Sequence, residues 1–211
     1  ALALWLLASQ DIYRPYRIWH APEAPDWPTI RAYARLGVPG GLAILVEVSS
    51  FTLMALFIAR LGTVASASHQ IAASMAAVLY MLPLSLAIAT SSRASFWLGA
   101  GRPHRARAAI GTGLALAIIA GAGQAGLIWL GRELLEGLYA TPPAVIALAA
   151  TLLAWVALFH FFDAIQALCV FVLRCYRITV APLLVYCILL WGIGLGGGYL
   201  LAYEGLADRG P

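Results

Sequence analysis

Residues 61–92 read LGTVASASHQIAASMAAVLYMLPLSLAIATSS and hold no aspartate, glutamate, lysine or arginine. A helix needs about 20 apolar residues to cross the hydrocarbon core of a bilayer. This run is long enough for one crossing, and it is not alone. Residues 108–131, 137–162 and 178–203 are equally free of charge, and 36–59 is interrupted only by Glu47. Five full transmembrane helices are therefore expected, over 36–60, 63–91, 106–131, 144–173 and 179–202. Lipid offers no partner to a backbone N–H or C=O, so such runs must satisfy themselves as helices. A β-barrel would show ten-residue segments of alternating hydrophobicity, and none is visible. The fold class expected is an all-α, polytopic membrane protein, a helical bundle.

Composition agrees. The chain of 211 residues is 63% hydrophobic and only 10% charged, against about 25% charged in soluble domains. So few charges cannot cover a water-soluble body. The net charge of +4 comes from thirteen cations, all of them arginine. They are scattered between apolar blocks and form no continuous basic face, so a nucleic-acid partner is not expected and the lipid bilayer is.

Arginine also orients the chain, because cytoplasmic loops collect positive charge. Arg14, Arg17, Arg31, Arg35, Arg93, Arg102, Arg105, Arg107, Arg174 and Arg177 fall on one side of the expected spans, and Arg60, Arg132 and Arg209 on the other. The first side is read as cytoplasmic. Residues 1–8 then read as the end of a preceding transmembrane helix rather than a signal peptide, since they lack an initiator Met and a basic flank. Residues 9–35 read as a cytoplasmic linker. Within it, Pro15, Pro22 and Pro25 indicate coil, and Asp26 and Pro28 suit the N-cap and first turn of an interfacial helix. An ordinary tether is the other reading of that segment. Residues 36–211 form the membrane body.

Two carboxylates fall inside expected spans, Glu47 and Asp163. An acid at the bilayer centre costs about 2.5–3.5 kcal/mol on insertion scales, and a chain this poor in charge is expected to use it. At about 1.5 Å per residue, both lie about 15–17 Å inside the cytoplasmic boundary, close to the midplane. His160, Asp163, Gln166, Val170 and Arg174 share one helical face, as do Glu47, Ser50 and Met54. These faces are expected to line a water-accessible cavity. A carboxyl held there can bind and release a proton, or hold Na⁺ when ionised. The candidate cation-coupling residues are thus Glu47 and Asp163, with His160, Gln166 and Ser50 as supporting polar groups. A structural polar contact between helices is the competing explanation.

Other chemistry is not expected. His69 reads as an interfacial or packing residue. Glu47, His69, His160 and Asp163 lack metal-motif spacing, so no metal is expected beyond a possible Na⁺ at Glu47 and Asp163. Cys169, Cys175 and Cys187 fit neither a disulfide framework nor a zinc site and read as small packing residues. Glycines 192, 194, 196, 197 and 198 lie in a span, not after a strand, so they form no nucleotide loop. Pro39, Pro83 and Pro182 mark bends or freed carbonyls. With no convergent nucleophile, an enzyme is not expected, and no cofactor.

Several stretches together resemble the multidrug and toxic compound extrusion (MATE) family of transporters. Leu36-Gly37-Val38-Pro39 leading to Val46-Glu47-Val48-Ser49 is similar to its seventh helix. Ala67-Ser68-His69-Gln70-Ile71-Ala72 with Met81-Leu82-Pro83-Leu84-Ser85-Leu86 resembles the next. Leu98-Gly99-Ala100-Gly101-Arg102 with Arg105-Ala106-Arg107 resembles a cytoplasmic loop, and Phe162-Asp163-Ala164-Ile165-Gln166 with Leu173-Arg174 the tenth helix. The resemblance implies one lobe of a twelve-helix, two-lobe antiporter, with 36–211 as the C-terminal lobe. The N-terminal lobe and the final helix of the same polypeptide would lie outside this chain. It further implies that Glu47 and Asp163 couple a cation, H⁺ or Na⁺, to export. Some sodium-coupled members carry a tyrosine where Phe159 stands, which leaves the proton open. Cys175 replaces the family's glycine after the Leu-Arg pair, and Ile178 an aspartate.

The function expected is secondary active export of cationic or amphipathic, drug-like compounds, in exchange for H⁺ or Na⁺, across the bacterial inner membrane. Phe51, Met54, Tyr80 and Met81 would offer such compounds a soft apolar surface. One alternative is a lipid-linked oligosaccharide flippase of related fold, which would favour a more basic cavity. The other is a non-transporting membrane scaffold, which would need no midplane acids.

Overall fold

The computed structural model describes Trp5, Ser9 and residues 24–131 and 142–203. Most of the expected helix end at 1–8 and of the linker at 9–35 lies outside the described residues. All regular structure among the described residues is helical: α1 (Trp27–Ala59), α2 (Thr63–Gly99), α3 (Pro103–Gly131), α4 (Pro143–Cys175) and α5 (Val180–Tyr203). Each is long and apolar enough to cross a membrane.

Several bounds differ from expectation for physical reasons. α1 begins at Trp27 rather than at 36. Thr29 Oγ1 donates to the Asp26 carboxylate, and Ile30 N donates to Asp26 O at 2.9 Å. Asp26 therefore sits at the N-cap of α1. Pro39 lies inside α1 instead of near its start. α2 continues past 91 to Gly99, because an arginine near a membrane surface can extend its head to water while the helix goes on.

The chain divides into two compact units, Ala1–Arg35 and Leu36–Pro211. In the first, the described residues from Trp27 onward are exposed helix. In the second, α2, α3 and α4 pack on one another as a three-helix core. Its buried positions are mostly small: Ala72, Ala87 and Ala94 on α2, Ala106, Gly113, Ala117 and Gly121 on α3, Ala149, Ala157, Ala164 and Ala167 on α4. The large apolar side chains point outward, Val78, Ile119, Leu130 and Trp155 among them. Lipid tails are as apolar as leucine, so helix association in a bilayer comes from close packing of small residues. Gly113 shows how close. A Cβ there would stand 2.9 Å from Thr90 Cβ and nearer still to its Oγ1 and Cγ2.

α1 and α5 meet α4 in a second cluster, where Ala43, Val46, Val170 and Tyr186 are buried together. Among the described residues, two polar ties join α1 to α5. Trp191 Nε1 donates to Ser49 Oγ at 3.2 Å, and Tyr203 Oη donates to the Phe57 carbonyl at 2.6 Å. The middle of α5, Cys187–Gly197, is π-helical. This glycine-rich stretch brings the Leu189 carbonyl to within 3.2 Å of where a Cβ of Gly194 would stand.

Candidate functional site

Glu47 on α1 and Asp163 on α4 line the same space. One cavity of about 330 Å³ is bounded by Glu47, Phe51, Ala73, Ala76, Ala77, Tyr80, Phe159, His160 and Asp163. A second, of about 320 Å³, shares Glu47, Phe51, Phe159 and Asp163. It extends past Gln166 and Tyr186 toward Pro182 and Leu190. The two carboxylates thus stand where both cavities meet, each half-buried. Their charges act on one another, and Glu47 also lies within electrostatic reach of Arg174.

Local sequence explains the placement. Ala43, Val46 and Ser50 form the buried stripe of α1, and Glu47 is the neighbour of that stripe that looks into the cavity. On α4, His160, Ala164, Ala167 and Leu168 pack inward, which sets Asp163 at the border of the buried face.

The supporting groups separate. Gln166 lines the second cavity and donates through Nε2 to Tyr186 Oη. His160 lines the first cavity and is almost fully buried, 1% exposed. Ser50 borders neither cavity. It is buried and donates to the Val46 carbonyl at 2.6 Å, so its hydroxyl proton is engaged within α1. Met54 approaches Gly198 of α5, and His69 is half-buried near the start of α2, outside both cavities.

His160 belongs to a chain of polar contacts that begins at Pro83. A proline has no N–H, so Pro83 leaves the carbonyl four residues earlier, that of Leu79, without its helical donor. Gln124 on α3 supplies one: its Nε2 donates to Leu79 O at 2.9 Å. The amide is thereby oriented, and its Oε1 faces His160 Nε2 at 3.2 Å. An amide oxygen only accepts, so Nε2 of His160 carries the hydrogen. A carbonyl freed by proline on α2, an amide on α3 and an imidazole on α4 are linked through the three-helix core.

Sequence reasoning passed over Gln124 and Tyr186. The signal for Gln124 was there: it is the one amide in the charge-free run 108–131, and intramembrane polar groups seek partners. Tyr186 stands in an apolar span, and nothing in its spacing announced that its hydroxyl meets Gln166.

The fold and the site define a polytopic α-helical membrane protein whose bundle encloses a cavity lined by two acids. The MatE family model matches residues 39–200. The chain is 42% identical over 200 residues to the "Probable multidrug resistance protein NorM" of Aromatoleum aromaticum, covering 94% of this chain and 43% of that protein. It is 39% identical over 205 residues to the "Multidrug resistance protein PmpM" of Pseudomonas aeruginosa, covering 97% of this chain and 42% of the relative. The "Multidrug resistance protein MdtK" of Yersinia pestis is 36% identical over 185 residues, 88% of this chain and 40% of its own. The chain belongs to the MatE family. It is a multi-pass protein of the bacterial inner membrane, and it spans less than half the length of the curated relatives it matches.

Proposed function

We propose that the protein carrying this chain is a secondary active multidrug exporter, and that residues 36–211 form its C-terminal lobe. Cytoplasmic cationic or amphipathic compounds leave in exchange for an entering H⁺ or Na⁺, which binds at Glu47 and Asp163. The observation that carries the reading is the shared lining of two adjoining cavities by these acids. A purely structural polar contact would leave no space between its partners. The relatives' printed names, multidrug resistance proteins, support the choice of cargo.

The lining favours the proton over Na⁺. Besides the carboxylates, Tyr80 and His160, whose Nε2–H is engaged by Gln124, the first cavity is walled by Phe51, Phe159, Ala73, Ala76 and Ala77. A proton needs one acceptor oxygen, whereas a metal cation needs several. Drug and ion compete for the ionised acids, or act by favouring opposite conformations of the two lobes.

Efflux of a fluorescent lipophilic cation by the full-length protein tests this. Glu47→Gln and Asp163→Asn should each abolish ion-driven efflux while the protein remains in the membrane. Undiminished coupling in both variants would defeat the assignment. Imposing a Na⁺ gradient at fixed pH, then a pH gradient without Na⁺, separates the ions.

A further inference from the structure

The turn between α2 and α3 gathers positive charge around one aromatic ring. The guanidinium carbon of Arg105 lies 4.7 Å from the centroid of the Trp97 ring. Those of Arg93 and Arg102 lie at 5.3 Å and 5.8 Å. The turn itself enforces this. Gly101 N donates to Leu98 O at 3.1 Å and Arg102 N to Trp97 O at 2.9 Å. That pair of bonds is a Schellman closure, with Gly101 in the left-handed region at φ 69°. The closure folds Arg102 and Arg105 back over Trp97, while Arg93 reaches it from one turn earlier on α2.

Three like charges around one ring repel one another unless an anion stands among them. Among the described residues none of the three guanidiniums makes a hydrogen bond or an ion pair. The carboxylates among those residues are Asp26, Glu47 and Asp163, and the latter two lie inside spans. A guanidinium held against an aromatic face keeps its N–H donors for oxygen acceptors. The cluster lies at the arginine-rich ends of α2 and α3, where headgroups lie. Phe96, 60% exposed and edge-on to Trp97 at 5.1 Å, adds an apolar flank beside the charges.

We propose that Arg93, Arg102 and Arg105, held around Trp97, form a binding site for the phosphate headgroup of an anionic phospholipid of the cytoplasmic leaflet. The arginines meet the phosphate oxygens, Trp97 sits at the glycerol level, and Phe96 borders the acyl chains. Lipid rather than soluble phosphate is favoured because an apolar flank accompanies the charge, and because anionic lipid is concentrated at that surface. The site is separate from the carboxylate cavity and does not depend on the exporter reading.

The test uses the full-length protein in nanodiscs containing brominated phosphatidylglycerol or brominated phosphatidylcholine. The Trp97 signal is isolated by subtracting the emission of Trp97→Phe. Quenching of that signal should show at least about a fivefold preference for the anionic lipid. The preference should fall toward unity in Arg93→Gln/Arg102→Gln/Arg105→Gln, and should shrink in the unmodified protein as NaCl rises. Equal quenching by both lipids, a preference retained in the triple variant, or one indifferent to salt would overturn the proposal. Displacement of the anionic lipid by low-millimolar inorganic phosphate would also overturn it, by assigning the arginines to a soluble anion.

Discussion

Replacing Gln124 by leucine removes one amide and strands a buried imidazole and a part-buried carbonyl. The Leu79 carbonyl loses the donor that compensates for Pro83, and His160 Nε2 loses its acceptor. Each unsatisfied buried polar group costs about 1–3 kcal/mol in a protein interior, so the upper bound is about 6 kcal/mol. Measured side-chain hydrogen bonds between membrane helices are weaker, averaging about 0.6 kcal/mol, because the unfolded chain in lipid also finds partners. The expected loss for Gln124→Leu is therefore about 1–2 kcal/mol. Pro83→Ala supplies a backbone N–H that can reach the Leu79 carbonyl from within α2. In that background Gln124→Leu strands only His160, so the double variant should be more stable than the sum of the single effects by about 0.5–1 kcal/mol. The assay is reversible unfolding of the full-length protein in mixed micelles with increasing SDS, followed by circular dichroism. Additivity within about 0.3 kcal/mol would show that the three residues do not form one unit.

Other substitutions probe the frame around the site. Gly113→Ala drives a Cβ into Thr90 and should destabilise the α2–α3 contact by about 1–3 kcal/mol, read as a lower unfolding midpoint; an unchanged midpoint would mean that the helices are free to separate. Arg177 is a non-glycine residue in the left-handed region, φ 61°, closing α4 with bonds from Arg177 N to Arg174 O and Ile178 N to Leu173 O, both 3.0 Å. Arg177→Gly should relieve that strain and stabilise the protein by about 1 kcal/mol, seen as a rise in Tm; a fall would mean that the arginine side chain contributes more than its backbone costs.

The spans were legible because a bilayer imposes a coarse requirement, about 20 residues without charge, and residues 61–92 or 178–203 meet it openly. Helix ends were less so. Arg93 ended the charge-free run but not α2, since charge bears on what the bilayer tolerates and not on helical geometry. The first span was expected from residue 36, yet α1 already runs from Trp27 and passes through Pro39. Glu47 and Asp163 stood out because an acid in a span is rare. That they border one space depends on the packing of α1 against α4 through Ala43, Val46 and Val170, which no single-helix pattern contains. The same holds for Gln124. Its amide was visible in the run 108–131, but its partners are a carbonyl and an imidazole on two other helices, brought near by small residues such as Gly121 and Ala164. The π-helical Cys187–Gly197 left no trace beyond its glycines.

Displacement of ions by drug tests the central claim most directly. A lipophilic cation is added to the purified full-length protein in weakly buffered solution, and released H⁺ and Na⁺ are followed with a pH dye and a sodium electrode. The unmodified protein should release one of these ions as the cation binds, Glu47→Gln and Asp163→Asn should each release less, and the double variant none. A double variant that binds the cation and still releases the ion in full would place the coupling site elsewhere.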